Sequence, residues 1–315
     1  MKGVKFKKVW NILRVFIGIL LISFLLWRLD IQKILINIKT LRADFLAYAM
    51  VPYFFFIVVS AWRWQVLLDF KNFKLPFGRT ILIYFIAFFF NNFLPTTVGG
   101  DVMRVLYSTK DRKADALAIV LVDRILGFVG LFIFALIAVL YLMIFKGRGE
   151  FFPFVIIGLF VIVIITLILF SQKAYRSISP WIEKIRLWKF GYHLNRLHDS
   201  TTEFGGAWGL IILCVFQSIL IQALLALAPY FVLKAIGDFS VGILPFFIYV
   251  PIINIVSMIP VSFNALGVRE NAYVVLFSRV GLSGEVSLTI SLVSFFLIFL
   301  YSLLGGIFFL FYKRR

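Results

Sequence analysis

Three arginines stand out in a chain whose apolar stretches carry almost no charge: Arg104, Arg124 and Arg269. A guanidinium is a planar fork of five donors, and its natural counterpart is an oxyanion; a phosphate takes two parallel charge-assisted hydrogen bonds from it. Asp101 and Glu270 lie beside these arginines in sequence and can orient them, while Asn91, Asn92 and Thr96 can add neutral hydrogen bonds. This is the equipment of a binding site for a phosphate-bearing group. Asp101, Asp123 and Glu270 are the carboxylates that look buried, and no nucleophile or P-loop accompanies them, so no catalytic residue is assigned. His193 and His198 stand five apart among basic residues and read as surface histidines, because no carboxylate or cysteine cluster joins them. No metal and no cofactor is expected, and the single cysteine, Cys214, reads as a small packing residue.

The arginines recur in a pattern. NNFLPTTVGGDVMR (91–104) follows the apolar run ILIYFIAFFF, and MIPVSFNALGVRE (258–270) follows a second short apolar run. Pro95 to Arg104 and Pro260 to Arg269 both span nine positions, each proline follows an aliphatic residue, and small residues lie between: Gly99 and Gly100 in the first, Ala265 and Gly267 in the second. A proline ends a helix, glycines allow the chain to turn, and a short helix that restarts offers free N–H groups to an anion. Irregular backbone at membrane depth survives only inside protein or along a wet cavity, so each break marks a site. Pro95, Gly99, Gly100, Pro260 and Gly267 are therefore expected at re-entrant turns, with Arg104 and Arg269 taking the same phosphate alternately.

The elements that must position these residues follow from composition. Of 315 residues 63% are hydrophobic and 15% charged, and the mean hydropathy is +1.04, which excludes an ordinary soluble domain. The apolar runs are continuous rather than alternating, so the chain is an all-α polytopic membrane protein and not a barrel. Eight apolar segments can be drawn, at about 9–29, 43–68, 77–91, 114–145, 151–170, 207–233, 241–259 and 284–311. The third is short, and the seventh is short and interrupted by Pro245 and Pro251, so about six full spans plus two re-entrant hairpins are expected. The net charge of +18 falls mainly between apolar segments, which points to cytoplasmic loops and anionic lipid heads and away from nucleic acid.

Basic residues at the N-terminus, at 69–79, 104–113 and 173–196, and in the Lys313-Arg314-Arg315 tail are expected on the cytoplasmic side, so both termini are cytoplasmic. The loop at 28–44, with Arg28, Lys33, Lys39 and Arg42, is then left outside, against the rule. With the two hairpins entering from opposite faces, the chain becomes a single membrane domain of two inverted repeat-like halves, about 43–145 and 207–311, an architecture used by transporters. A cytoplasmic amphipathic linker at 172–206 joins them.

The string Asn91, Leu94, Pro95, Gly99, Gly100, Asp101, Arg104, the Asp123-Arg124 pair before Gly127, and Pro260 through Gly267-Val268-Arg269-Glu270 resemble the lysylphosphatidylglycerol synthase transmembrane region. That region is the flippase half of the multiple peptide resistance factors and also occurs alone. The resemblance covers nearly the whole chain and implies a plasma- or inner-membrane protein that moves an anionic, amphipathic or polyprenyl-phosphate-type lipid between leaflets. The soluble transferase domain of the family has no room in a chain ending at Arg315, and Asn264-Ala265 stand where the family commonly has glycines. A lipid-modifying transferase component and a scaffold for a separate lipid-modifying enzyme are the alternatives. Expected partners are lipids with phosphate head groups, with such an enzyme or a second copy of the chain left open.

The charged residues also have plainer readings. Trp62-Arg63-Trp64 reads as an interfacial anchor, with the arginine snorkelling between two tryptophans. Asp123-Arg124 is either a cavity-facing pair, with Arg124 oriented by Asp101 or Asp123, or an interfacial pair near the cytoplasmic end. Arg269-Glu270 is either part of the site or a mutually neutralising surface pair, and Arg104 either binds headgroups or is solvated.

Overall fold

The computed structural model describes residues 2–93, 99–172 and 199–312, with side chains from residue 13 onward. Eleven α-helices make up the described chain: α1 Lys2–Arg28, α2 Ile31–Lys39, α3 Ala43–Phe70, α4 Phe77–Phe93, α5 Gly99–Ser108, α6 Lys113–Lys146, α7 Phe152–Phe170, α8 Trp208–Ile236, α9 Leu244–Ser257, α10 Val268–Phe277 and α11 Gly284–Phe311. Five of them, α3, α6, α7, α8 and α11, are long and apolar enough to cross a bilayer. Residues 13–28 of α1 with α2 make a sixth candidate only if taken together, and they meet at 93°. The stretch at 28–44, expected as a loop, is thus largely helical. Asp30 begins α2 because its carboxylate accepts from the N–H groups of Gln32 at 2.9 Å and Lys33 at 3.3 Å.

The two undersized apolar segments are the short helices α4 and α9. Pro245 and Pro251 do not interrupt α9: Pro245 occupies its first turn, where no intrahelical N–H is needed, and the helix continues through Pro251. The second of them, α9, packs back on the helix that follows it. The ring of Phe246, early in α9, lies 4.7 Å from that of Phe277, the last residue of α10. For α4 and α5 the shared neighbour is Tyr312, whose hydroxyl accepts from Arg79 at 2.6 Å and whose ring meets Tyr107 at 5.0 Å. The start of α4 and the end of α5 therefore lie together.

The described contacts fall into two compact units, one of residues 1–56, 89–99 and 223–304 and the other of 57–88, 100–222 and 305–315. They interleave along the chain and cut across the halves at 43–145 and 207–311. In the second unit Trp64, Leu68, Ile83, Ile119, Val122, Leu126 and Cys214 form the core. There α6 and α8 approach closely, since a Cβ on Gly130 would stand 2.2 Å from that of Ser218. In the first unit Leu25, Ile34 and Leu288 form a smaller core among α1, α2 and α11. The linker residues 173–198, including Trp181, Trp188, His193 and His198, lie outside the described residues, as do Pro95 and Thr96.

Candidate functional site

An aspartate deep in an apolar helix needs counter-charges, because an unpaired buried carboxylate is prohibitively costly. Asp123 of α6 is 2% exposed and has two. Arg63 of α3 donates from Nε to Oδ1 at 2.7 Å, and Arg104 of α5 donates from Nη2 to Oδ2 at 2.8 Å. The far side of Arg104 reaches Asp101, 3.7 Å from its Nη1, and Asp101 in turn pairs with Arg124. The result is an alternating ladder, Arg63–Asp123–Arg104–Asp101–Arg124, with three positive and two negative groups and hence one excess positive charge.

The packing around the ladder fixes its shape. Arg63 donates a further hydrogen bond from Nη1 to Ser218 Oγ at 2.7 Å, and its guanidinium fills the space that a side chain at Gly127 would take, 3.3 Å from the position of a Cβ there. Arg104 lies over the rings of Trp64 and Tyr84 at 4.5 and 5.3 Å, so its charge is held by two aromatic faces as well as two carboxylates. Its Nε makes no hydrogen bond among the described residues. Burial runs as a gradient along the ladder: the side chains of Arg63, Asp123 and Arg104 are buried, whereas that of Arg124 is 31% exposed. Arg124 is the most exposed member of the ladder.

The second motif builds a different arrangement in the other unit. Gly267, at φ +79°, turns the chain into α10, and a Cβ there would stand 2.5 Å from Leu21 of α1. Glu270, fully buried, accepts the Gly267 N–H on Oε2 at 2.6 Å, so this helix start is capped by its own acid and does not present that N–H to an anion. The other oxygen, Oε1, pairs with Arg269, whose Nε donates to it at 3.0 Å. The guanidinium sits 4.5 Å over Phe295 and reaches Ser291 Oγ at 3.3 Å. One arginine and one glutamate leave no excess charge, and the Arg269 side chain is 20% exposed.

Several expectations change against this geometry. Arg63 is not an interfacial anchor: it and Trp64 are buried, and only Trp62 of that triplet is exposed. Arg104 is buried too, so it is not a solvated marker of topology, and Arg269-Glu270 is not a surface pair. Gly99 and Gly100 do not turn the chain; they open α5, with Asp101 in its first turn. Asn91 and Asn92 continue α4 as its last turn and are half-buried. Pro260 does lie in a turn, after α9. Asn264 and Ala265, at φ +48° and +56°, adopt left-handed backbone, a conformation that glycine takes without strain. Arg63, Ser218 and Tyr84 are the site residues that sequence reasoning missed. The signal for Arg63 was Asp123 itself, an acid in an apolar run that needed more compensation than the adjacent Arg124.

The ladder joins Arg104, Asp101, Asp123 and Arg124, residues of the motifs on which the family resemblance rests, and the family's sequence profile, described as "Lysylphosphatidylglycerol synthase TM region", matches residues 11–306. The chain belongs to this family. Among relatives of the lysylphosphatidylglycerol synthase transmembrane region, the UPF0104 membrane protein PH1989 of Pyrococcus horikoshii is 28% identical over 189 residues, covering 56% of this chain and 55% of that protein. The match therefore spans about half of that relative's length. A UPF0104 membrane protein of Methanothermobacter thermautotrophicus is 22% identical over 269 residues, covering 75% of each chain. The protein is a multi-pass membrane protein of a family named for a lipid synthase.

Proposed function

We propose that this protein moves a phosphate-bearing lipid between leaflets of a cell membrane, with the Arg63–Asp123–Arg104–Asp101–Arg124 ladder as its principal headgroup site. One observation carries the reading: the ladder holds three arginines against two aspartates, and its most exposed member is an arginine. An anion gains charge-assisted hydrogen bonds from arginines held in place in this way, and a lipid brings that anion without leaving the membrane. The headgroup phosphate competes with the Asp101 carboxylate for Arg124 and Arg104. Arg269, whose charge Glu270 already balances, contributes less to transport. Both termini are cytoplasmic in this scheme, and the segment at 104–113 faces the cytoplasm.

The test is reconstitution in liposomes with a fluorescent anionic phospholipid and a membrane-impermeant quencher. Protein-dependent scrambling supports transport. Turnover of the lipid with an added donor instead, or neither activity, supports the transferase-component and scaffold readings respectively, to which the family's name gives the former its support.

A further inference from the structure

We infer that α2 is an interfacial helix lying flat in the headgroup–acyl boundary of one leaflet, and that it sets the depth of the second motif. In a nine-residue helix at 100° per residue, Ile31, Ile34, Leu35 and Ile38 share one face, with Gln32, Lys33, Asn37 and Lys39 on the other; Ile36 alone departs from the pattern. Only Ile34 of the apolar face is covered by protein, whereas Ile31, Leu35 and Ile38 are exposed. An apolar face left bare beside a membrane-crossing helix fits a bilayer boundary. Trp27, 81% exposed at the end of α1, is the residue type that favours that boundary.

The bend decides orientation. Because α1 and α2 meet at 93°, a helix α2 in the membrane plane leaves α1 free to run along the membrane normal, the direction that buries the apolar residues 13–28 in hydrocarbon. Residues 28–44 carry Arg28, Lys33, Lys39 and Arg42 against Asp30 and Asp44, a net +2, complementary to phosphate headgroups. The basic residues that violate the orientation rule as loop charges are then headgroup contacts of a surface helix. Depth follows from α1. The second motif rests directly on it: Gly18 faces the Leu266 carbonyl, 3.2 Å from the position of a Cβ there, and Gly267 packs on Leu21. Gly18 is ten residues from Arg28, so at 1.5 Å per residue the turn lies roughly 15 Å below the boundary, near the midplane of a hydrocarbon core about 30 Å thick.

Spin labels measure this directly and independently of transport. In full-length Cys214→Ala protein in nanodiscs of mixed phosphatidylcholine and phosphatidylglycerol, single cysteines at Ile19, Ile31, Leu35, Ile38, Gln32 and Lys39 carry nitroxides. Their depth is read from relative accessibility to oxygen and to a water-soluble nickel chelate. The inference requires Ile31, Leu35 and Ile38 at one common shallow depth, Gln32 and Lys39 nearer water, and Ile19 roughly 15 Å deeper. A depth that changes steadily from Ile31 to Ile38, by about 10 Å over seven residues, would make α1 and α2 a broken span and overturn it. Water accessibility at all five α2 positions would also overturn it, by placing the helix off the membrane.

Discussion

The two motifs share spacing but not electrostatics. After the first break, Arg104 enters a five-membered ladder across α3, α5 and α6, with three arginines to two aspartates; after the second, Arg269 pairs with the glutamate beside it, and the two charges cancel. The carboxylates differ in task as well. Asp123 compensates two guanidiniums, whereas Glu270 divides itself between one guanidinium and the Gly267 N–H at the helix start. Equal spacing around a proline-marked break thus yields one region suited to hold an anion and another suited to stabilise a turn. Charge stoichiometry, not motif spacing, separates them.

The largest expected effect is on Asp123. Asp123→Ala strips both Arg63 and Arg104 of their shared partner, and breaking a buried pair in this way costs about 3–5 kcal/mol. Thermal unfolding in detergent should show it as a lowered midpoint or as loss of folded protein. Glu270→Gln should cost less, about 1.5–3 kcal/mol, since the amide oxygen still accepts the Gly267 N–H while only one guanidinium loses its charge partner. If both substitutions cost the same, the contrast between a shared and a local carboxylate fails.

Arg104 sharpens the contrast in a different way. Its guanidinium bridges two carboxylates and lies on two rings, a geometry that the point charge of lysine does not reproduce. Arg104→Lys should restore only part of the liposome transport that Arg104→Gln loses. Arg269→Gln should slow transport by a smaller factor than Arg104→Gln. The smallest effect is a gain: Ala265→Gly relieves left-handed backbone and should stabilise the protein by roughly 1 kcal/mol, while the same change at Ala87, inside α4, should destabilise it by a similar amount.

The sequence made the helices legible because a membrane leaves few options: long apolar runs must be helical, and the two short runs became the two short helices α4 and α9. Asp101, Arg104 and Arg124 were legible as a candidate cluster because charge beside Pro-Gly irregularity in an apolar chain is costly unless paired, and the structure joins them by ion pairs. Two things were hidden. Arg63 sat between tryptophans, a pattern that an interfacial anchor and a buried cation share, and only its three-dimensional meeting with Asp123 distinguishes them. The bend before α2 was hidden because a nine-residue amphipathic helix beside a long apolar one reads as a charged loop when residues are only counted.

The central claim is that the excess positive charge of the ladder binds the lipid phosphate, and Arg124 is its most exposed carrier. The direct measurement is scrambling of a fluorescent anionic phospholipid in liposomes containing wild-type, Arg124→Gln or Lys110→Gln protein, each checked for a monodisperse folded state. Losing one charge-assisted contact worth about 1.5–3 kcal/mol should slow Arg124→Gln roughly tenfold or more, while Lys110→Gln, exposed and outside the ladder, keeps the wild-type rate. Transport by Arg124→Gln at the wild-type rate would contradict the account and leave the ladder as a device for holding helices together.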